Sequence, residues 1–536
     1  MKSKVSILLI CSSLLLSGCA LFPFINNKTS ESDKSHSSSS SSSSQGDKSS
    51  SSEDEIFKTI DIYAINDFHG AVEEGQISGY KVAGLGKLMT YLKDKGDKPN
   101  TLLLDQGDTW QGSVYSNNNK GQLITDVMNY VQFDSRTVGN HDFDWGLEPL
   151  MYNKTLSYEG YSTPVLAGNV YDYDFETKTE GTHQMEEIGV PSVTYTLDNG
   201  LKVGILGCIG SQQITSITSS YTTNICFKDH IAFIKDEATK LREDGCDIVI
   251  GTIHSGSEDV MNNGLSKYVD IMFCGHTHRT EMKSEGSCQY LQYACNGEAV
   301  GHVTMTYDTQ NKKVNNINVS SILARDIVKE TPTIDEKISS IMVKYAAKCE
   351  AEENPNQIIA TGVYGEFLAS ASLPNLMART MYDRAALEGF DVDFAYVNKA
   401  RANISSSDWT YADIFRSFPF ENEVYIMEVT GKEMMDEVLK YNYIYRSPNF
   451  TSNEINLDGK YTIACIDYLN YHTNEARYYD YFPESGGTFI GKLSTNYRII
   501  LREWLINNGY NVSNQLRYSD YLSSNWAHDN SVFVAA

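Results

Sequence analysis

Five short polar motifs in the N-terminal part of the chain each follow an apolar run that is typical of a β-strand. Residues at the carboxyl ends of neighbouring strands converge in open α/β sheets, and side chains at positions i and i+2 face the same way where the chain stays extended. Five of the 11 histidines fall within these motifs. Five unrelated turns would not explain why so many histidines occur there. The pattern therefore predicts one cluster of Asp, Asn and His side chains, drawn from Asp67-Phe68-His69, Gly107-Asp108, Gly139-Asn140-His141-Asp142-Phe143-Asp144, His254 and Gly275-His276-Thr277-His278.

Such a cluster indicates metal binding. Oxygen and imidazole ligands without thiolate are typical of Zn, Mn, Fe or Co sites, and a thiolate site is disfavoured because no two cysteines form a CxxC pair. Two aspartates beside two divalent cations leave a local charge of about +2. The chain as a whole has 44 Lys and Arg against 69 Asp and Glu, a net charge of −25, which argues against a nucleic-acid polymer as partner. An anionic substrate therefore requires this local positive centre.

Strand-like runs alternate with helix-like segments from Ile56 to about Asp308, and together they must position these motifs. Near-continuous apolar strands predict a sheet that is covered on both faces. We therefore expect an α/β domain over residues 56–328. Its strand-like runs are Thr59–Ile65, Thr101–Leu104, Val165–Ala167, Leu201–Leu206, Asp247–Thr252 and Val269–Phe273.

A helical spacing of apolar residues follows, from Ile334 to Cys349. It begins just after Pro332-Thr333, a typical helix start, so residues 329–357 are predicted to form a connecting helix and linker. A second pattern of strands and helices runs from residue 358 to 536. The sequence therefore predicts two folded domains joined by a helix.

The N-terminus reads as a targeting signal rather than as part of the fold. Lys2 and Lys4 precede a short apolar stretch, and Leu16-Ser17-Gly18-Cys19 resembles the lipobox of bacterial lipoproteins. The resemblance implies a signal peptide over residues 1–18 and lipid on Cys19, which would hold the protein outside the cytoplasm on the bacterial cell membrane. An ordinary secretory signal is the alternative. Residues 19–55 are rich in serine and are expected to form a flexible tether.

The ordered motifs resemble those of the calcineurin-like metallophosphoesterases, and more narrowly the bacterial secreted 5′-nucleotidase family. Two segments carry most of the likeness, Ile65-Asn66-Asp67-Phe68-His69-Gly70 and Gly139-Asn140-His141-Asp142-Phe143-Asp144. The resemblance implies a four-layer αββα domain, a β-sandwich flanked by helices, followed by an α+β substrate domain. It also implies two divalent metals with Asp108 as the bridging ligand. The first metal would be held by Asp67, His69, Asp108 and His278, and the second by Asp108, Asn140, His254 and His276.

The family mechanism gives each of these groups a role. A metal-held hydroxide attacks phosphorus in line while both metals stabilise the developing charge. A His–Asp pair three residues apart stabilises or protonates the leaving oxygen, and His141 and Asp144 match that pair. Asp144 would orient the imidazole and stabilise its charged form.

The second domain keeps only part of the family's substrate motifs. Asn398 and Arg401 stand in a loop that is two residues shorter than the family's and lacks its glycines, and no Gly-Gly-Asp-Gly segment follows Tyr468. Phe420 and Tyr468 are expected to clamp the base, because aromatic rings stack on any purine or pyrimidine. Arg401 is the preferred contact to phosphate or ribose, with Arg384 as a second candidate, because arginine presents a planar fork of donors.

These observations predict a surface-anchored, metal-dependent phosphatase that acts on nucleotides, most simply a 5′-nucleotidase. Within the same class, a 2′,3′-cyclic-nucleotide phosphodiesterase or a UDP-sugar hydrolase is the alternative. A lipoprotein that binds a solute without turnover is the alternative from a different class. The His141–Asp144 pair disfavours it, since a pure binding protein has no need of an acid–base pair.

Overall fold

The computed structural model describes residues 56–218, 221–434, 443–446, 454–469, 487–522 and 534–535. The predicted signal peptide, the tether and Cys19 lie outside the described residues. The strands are β1 (Phe57–Ile65), β2 (Gly75–Ile77), β3 (Tyr80–Val82), β4 (Thr101–Asp105), β5 (Ser135–Thr137), β6 (Val165–Leu166), β7 (Val170–Asp174), β8 (Thr179–Gln184), β9 (Ser192–Thr196), β10 (Lys202–Ile209), β11 (Ile225–Phe227), β12 (Ile248–His254), β13 (Ile271–Phe273), β14 (Glu281–Glu285), β15 (Cys288–Gln292), β16 (Ala299–Asp308), β17 (Lys313–Leu323), β18 (Ile358–Ala360), β19 (Phe394–Val397), β20 (Trp409–Thr410), β21 (Val424–Thr430), β22 (Tyr443–Arg446), β23 (Glu454–Ile455), β24 (Lys460–Ile466), β25 (Thr488–Lys492) and β26 (Val534–Ala535). The α-helices are α1 (Gly84–Gly96), α2 (Val114–Asn117), α3 (Gln122–Val131), α4 (Leu147–Thr155), α5 (His230–Glu243), α6 (Ser257–Val260), α7 (Ala324–Glu330), α8 (Glu336–Glu352), α9 (Ser372–Leu387), α10 (Tyr411–Ser417), α11 (Gly431–Glu433) and α12 (Tyr497–Asn508).

Two six-stranded sheets form the centre of the first domain. Their strand orders are β17-β16-β1-β4-β5-β6 and β14-β15-β13-β12-β10-β9. The inner strands pair in parallel, β1 with β4 and β4 with β5 in one sheet, and β10 with β12 and β12 with β13 in the other. Antiparallel pairs close the outer edges, as in β16–β17 and β9–β10. Parallel inner strands bring their carboxyl ends to one edge of each sheet, which is where the polar motifs begin.

The inner strands of this pair of sheets bury both of their faces. In β1, Ile62 and Ala64 pack between the two sheets, whereas Tyr63 and Ile65 pack beneath helices α1 and α3. Helix α5 covers the outer face of the second sheet with residues such as Ile234. The layers are therefore helix, sheet, sheet and helix, which confirms the predicted four-layer αββα domain and explains the near-continuous apolar strands.

Helix α8 is the helix that the apolar spacing predicts. Asp335 caps it by accepting hydrogen bonds from the backbone N–H groups of Lys337 and Ile338. Its buried residues, including Ile338 and Cys349, pack into the same core as α1 and α3. The connecting helix therefore packs as a part of the first domain.

The second domain has a separate core around the five-stranded sheet β22-β19-β24-β21-β25. Helices α9 and α12 pack on this sheet, while Phe415 of α10 packs into the core of the first domain. We propose that the second domain begins at residue 358, as the sequence predicts, because Ile359 and Ala360 of β18 belong to its core. Within the described ranges, no helix combines the length and the apolar character that crossing a membrane requires.

Candidate metal centre and substrate cleft

The predicted ligands come from the carboxyl ends of five strands. Asp67 and His69 follow β1, Asp108 follows β4, and Asn140 follows β5 in the first sheet. In the second sheet, His254 is the last residue of β12, and the loop after β13 carries the remaining two histidines, His276 and His278. The order of the strands thus brings together side chains that are up to about 200 residues apart in the chain.

The acidic and imidazole ligands form two groups, each with its ligand atoms within 4.8 Å of one another. Asp67, His69 and His278 form the first group, in which the Nε2 atoms of His69 and His278 are 2.9 Å apart. Asp108, His254 and His276 form the second group. Asp108 lies between the groups, because its Oδ2 atom is 3.1 Å from His254 Nε2 and 3.9 Å from His69 Nε2. The two groups match the two ligand sets that the family resemblance implies, and the role of Asp108 as a bridging ligand stays a prediction.

Asn140 points its amide oxygen at the second group. Its Oδ1 atom is 2.9 Å from His276 Nδ1 and 3.1 Å from His254 Nε2. Its Nδ2 atom is buried and makes no hydrogen bond to any residue that the structure describes. The amide is therefore oriented to offer its oxygen as a ligand.

The donor set fits two divalent cations. Asp108 Oδ2 is fully buried beside two imidazoles and yet makes no well-directed hydrogen bond. Two imidazole nitrogens that face each other, as in His69 and His278, suit a shared cation at least as well as a shared proton. Nitrogen and oxygen donors without sulfur suit Zn, Mn, Co or Fe.

At several predicted ligands the backbone has a conformation that residues other than glycine rarely adopt. Positive φ angles occur at a set of predicted ligands: Asp67 (49°), His69 (49°), Asp108 (53°), His276 (75°) and His278 (58°). Such a residue costs about 1–3 kcal/mol and persists only where the surrounding fold imposes it. Glycine is needed at position 139 for a steric reason, since a Cβ atom there would lie 2.3 Å from Asp108 Oδ1.

Burial and neighbouring charges shift the pKa values of the predicted ligands. Burial raises the pKa of Asp108, but His254 and His141 outweigh it and hold that pKa well below its ordinary value. Burial lowers the pKa of His254, but the carboxylate of Asp108 outweighs it and raises the pKa to about 10. Burial and the neighbouring His254 lower the pKa of His276 to about 4. Cations that bind here displace protons from imidazole and satisfy the buried carboxylates.

His141 and Asp144 form a partly buried hydrogen-bonded pair beside the second group. His141 Nδ1 lies 2.8 Å from Asp144 Oδ2, and the backbone N–H of His141 donates to Asp108 Oδ1 at 2.8 Å. Burial lowers the pKa of His141, but the carboxylates of Asp144 and Asp108 outweigh it and the pKa is raised. The free Nε2 atom of His141 is 3.4 Å from Arg401 Nη2, and the ring stacks on Phe420 with centroids 5.2 Å apart. The second domain thus contributes directly to the surroundings of the pair.

A cleft of about 240 Å³ opens at this pair, and we call it the nucleoside cleft. Of the residues predicted from the sequence, those that line it are Asn140, His141, Asp144, His276, Asn398, Arg401, Phe420 and Tyr468. The cleft also contains Tyr221, Asn422 and Asp467, which the sequence reasoning missed. Tyr221 lies in a loop without any motif, so no pattern could have identified it. Asp467 adjoins Tyr468 and could have been found by extending that motif by one residue.

Arg384 is not brought into the cleft. It lies on α9, where its guanidinium pairs with Glu388 at 2.5 Å and with Glu503 at 2.7 Å. Its Nη2 atom also donates to Ser494 Oγ. These contacts occupy the guanidinium on the surface of the second domain, away from the metal ligands.

A buried ion pair beneath the ligand loop was also missed. Asp142 accepts a hydrogen bond from the backbone N–H of Gly139 at 2.9 Å, and its Oδ2 atom is 3.1 Å from Arg136 Nη1. Arg136 stacks on Trp110 at 4.0 Å. The pair fixes the turn that carries Asn140 and His141, so Asp142 supports the site without facing the cleft.

Comparisons with known proteins follow the same division of the chain. A model described as calcineurin-like phosphoesterase matches residues 60–280, and one described as the C-terminal domain of 5′-nucleotidase matches residues 353–452. An apyrase of Tabanus yao is 24% identical over 423 residues, which cover 70% of this chain and 72% of the apyrase. The 5′-nucleotidase of Mus musculus is 30% identical over 228 residues, 40% of this chain and 37% of the mouse protein. For most of the curated relatives, including the mouse protein, the match spans less than two thirds of their length.

The fold has a close counterpart among solved structures. The crystal structure of a 5′-nucleotidase precursor from Thermus thermophilus superimposes with a TM-score of 0.69 at 18% identity, over 84% of this chain and 96% of that chain. At this identity the likeness is one of fold. Both family models match in chain order, and the first spans the five motifs that carry the predicted metal ligands, so the chain contains a calcineurin-like phosphoesterase domain over residues 60–280 followed by a 5′-nucleotidase C-terminal domain over residues 353–452.

Proposed function

We propose that this protein is a metal-dependent phosphatase that hydrolyses nucleotide phosphomonoesters, as a 5′-nucleotidase does. One observation carries the proposal: the second ligand group and the His141–Asp144 pair open onto a cleft lined by Phe420 and Tyr468 of the second domain. A phosphoester at the metal centre can therefore place its nucleoside between aromatic rings. The relatives named apyrase and 5′-nucleotidase support a nucleotide as the substrate.

The chain would divide the chemistry between its two domains. Two divalent cations, held by the groups described above, would activate water and neutralise the charge on the phosphoryl oxygens. His141 would donate a proton from Nε2 to the leaving 5′-oxygen, while Asp144 holds the ring at 2.8 Å and stabilises its charged form. Protonation of the leaving group is needed because an alkoxide is a poor leaving group.

The second domain would bind the nucleoside. Phe420 and Tyr468 both line the cleft, where an aromatic ring can stack on the base. Arg401 lies within 3.4 Å of His141 Nε2, a position from which its guanidinium can contact the phosphate or the ribose. Asn398 lines the same cleft and offers an amide for a polar contact.

The location of the protein is a proposal from the sequence. The segment Leu16-Ser17-Gly18-Cys19 supports removal of residues 1–18 and attachment of lipid at Cys19. A lipid anchor would place the phosphatase outside the cytoplasm, where nucleotides that cannot cross the membrane are its available substrates.

Phosphate release tests the proposal. The purified protein is incubated with AMP, UMP and p-nitrophenyl phosphate, with and without a chelator, and its metal content is measured in parallel. We expect release from the nucleotides that stops with chelator and returns when Zn²⁺, Mn²⁺ or Co²⁺ is restored. Stable binding of a nucleotide by the metal-loaded protein without release would instead favour the solute-binding alternative.

A further inference from the structure

The segment Phe418-Pro419-Phe420, which we call the aromatic segment, carries the ring that stacks on His141. The ring centroids of Phe420 and His141 are 5.2 Å apart, and the ring planes differ by 27°. Phe420 lines the nucleoside cleft beside Arg401, whose guanidinium is 5.5 Å from the Phe420 centroid. The segment connects α10 to β21 and belongs to neither of them. Its position therefore depends on the contacts that it makes with other parts of the chain.

Three consecutive carbonyl oxygens of the aromatic segment accept hydrogen bonds from buried side chains. Arg498 Nη1 donates to the carbonyl oxygen of Phe418 at 3.1 Å and to that of Phe420 at 2.8 Å. Asn117 Nδ2 donates to the carbonyl oxygen of Pro419 at 3.0 Å. Both donor side chains are 4% exposed, so water does not replace these bonds. Buried donors therefore set the path of the backbone through Phe420.

Arg498 lies at the interface between the two domains. It belongs to α12 of the second domain, while its guanidinium stacks on Phe415 at 3.7 Å and its Nε atom lies 3.4 Å from the hydroxyl of Tyr411. Both aromatic rings belong to the core of the first domain. In the part of the chain that the structure describes, the guanidinium of Arg498 pairs with no carboxylate. A buried cation without a carboxylate is costly, and the bonds to carbonyl oxygens are the contacts that offset this cost.

Asn117 connects the aromatic segment to the metal ligands. Its Oδ1 atom accepts a hydrogen bond from the backbone N–H of Gly112 at 3.0 Å, and its Nδ2 atom also donates to Gln111 Oε1. The carbonyl oxygen of Gln111 lies 3.0 Å from Nδ1 of His69, which is in the first ligand group. One amide of the first domain therefore joins the segment that supports a metal ligand to the segment that carries Phe420.

The distance between the metal centre and Phe420 matters because a nucleotide must reach both at once. Misplacement of a binding group by about 1 Å can cost about 100-fold in rate. Resting on the proposed function, we propose that Asn117 and Arg498 are positioning residues, which hold Phe420 where it stacks on the base while the phosphate lies at the metal centre. Neither side chain lines the nucleoside cleft, so each acts through Phe420.

The ratio of kcat/KM for AMP to that for p-nitrophenyl phosphate isolates this role, because a change at the metal centre alters both values. In the metal-loaded full chain, Asn117→Ala and Arg498→Lys should each lower the ratio by about 2- to 10-fold, the equivalent of one lost hydrogen bond. Asn117→Asp keeps the acceptor for Gly112 but loses the donor to Pro419, so it should lower the ratio as well.

The chain offers a matched control for each variant. Asn119 is 3% exposed, and its amide bonds to backbone groups of the first domain. Arg502 lies one turn after Arg498 on α12 and stacks on Tyr411 at 4.1 Å. Asn119→Ala and Arg502→Lys also remove contacts of an asparagine and an arginine, and they should leave the ratio unchanged.

Double-mutant cycles separate positioning from general destabilisation. Where Phe420 is already replaced by alanine, Asn117→Ala and Arg498→Lys should lower the ratio further by less than about twofold, because the ring through which they act is absent. Additive losses in the Phe420→Ala background would overturn the proposal. An unchanged ratio in either single variant would overturn it as well.

Hydrogen exchange followed by mass spectrometry provides a readout that needs no turnover. Asn117→Ala and Arg498→Lys should each speed exchange in residues 418–422 and leave β21, which follows directly, unchanged. Equal acceleration throughout the second domain would show a general structural role and overturn the proposal. An unaltered chain that releases no phosphate from AMP would refute the proposed function, and hydrogen exchange would still decide whether the two side chains hold the aromatic segment.

Discussion

Replacement of His141 by asparagine should separate its role as an acid from any role in holding metal. The backbone N–H of residue 141, which donates to Asp108 Oδ1 at 2.8 Å, remains in the variant. The ligand groups also remain, so metal content should change little. The variant loses the imidazole that is proposed to protonate the leaving oxygen, and kcat for AMP should fall by about two to four orders of magnitude, the usual scale for general acid catalysis.

Asp144→Asn should have a smaller effect in the same direction. The carboxylate of Asp144 is 2.8 Å from His141 Nδ1 and helps to raise the pKa of the imidazole. A hydrogen bond to a charged group is worth about 1.5–3 kcal/mol, which corresponds to a loss in kcat of roughly 10- to 150-fold. Both losses should be smaller for p-nitrophenyl phosphate than for AMP, because nitrophenolate leaves without a proton.

The assay compares kcat for AMP and for p-nitrophenyl phosphate in each variant, with metal content measured on the same samples. His183→Asn is the matched control, since that side chain is 65% exposed on β8 and should leave every rate unchanged. Equal losses for the two substrates in His141→Asn would refute the acid role. A loss of bound metal in proportion to the loss of rate would instead make His141 a part of the metal site.

Further predictions follow from the ligands, the cleft and the buried acids. Asp108→Ala should cost more activity and more bound metal than the loss of any ligand that serves one group, because Asp108 Oδ2 lies between His254 and His69. Metal content and activity measured on the same sample check this, and a variant with two metals and a near-full rate would contradict it. Phe420→Ala should lower kcat/KM for AMP by about 5- to 150-fold, the equivalent of a base stack of about 1–3 kcal/mol, and should largely spare p-nitrophenyl phosphate. The guanidinium of Arg384 pairs with acids on the surface, so Arg384→Ala should leave the ratio of kcat/KM for AMP to that for p-nitrophenyl phosphate unchanged. Equal changes of this ratio in Phe420→Ala and Arg384→Ala would contradict the prediction. Burial raises the pKa of Asp134 to about 7. The contribution of this carboxyl group to stability is therefore fully present below about pH 4, where the group is protonated, and is lost as the pH rises to 7 and the buried group becomes charged. Asp134→Asn should therefore raise the free energy of unfolding at pH 8 by roughly 1–3 kcal/mol and change it little at pH 4, and a difference that is independent of pH in urea titrations would contradict this.

The sequence pattern by itself located the buried strands of the first domain, whereas the four-layer arrangement came from the family resemblance. The buried strands β1, β4, β10 and β12 lie where the apolar runs are, because burial of both strand faces requires apolar residues throughout and leaves a strong local signal. The connecting helix α8 follows from apolar spacing and a proline just before its start, which are equally local. The order of the polar motifs after these strands was sufficient to indicate a metal centre, since parallel strands end at one edge of a sheet.

The tertiary structure decided which side chains meet. Asp67 and His278 are 3.4 Å apart only because β1 and β13 end at the same edge of two packed sheets, and the positive φ angles that aim them are imposed by the surrounding fold. Arg384 and Arg401 have equal chemistry in the sequence, but acids on neighbouring elements hold the first at the surface, while the second reaches His141 across the domains. The nucleoside cleft is likewise invisible to periodicity, because it is formed by segments that are distant in the chain. The local sequence pattern predicts burial and the type of secondary structure, whereas the contacts that select a substrate depend on how the two domains pack.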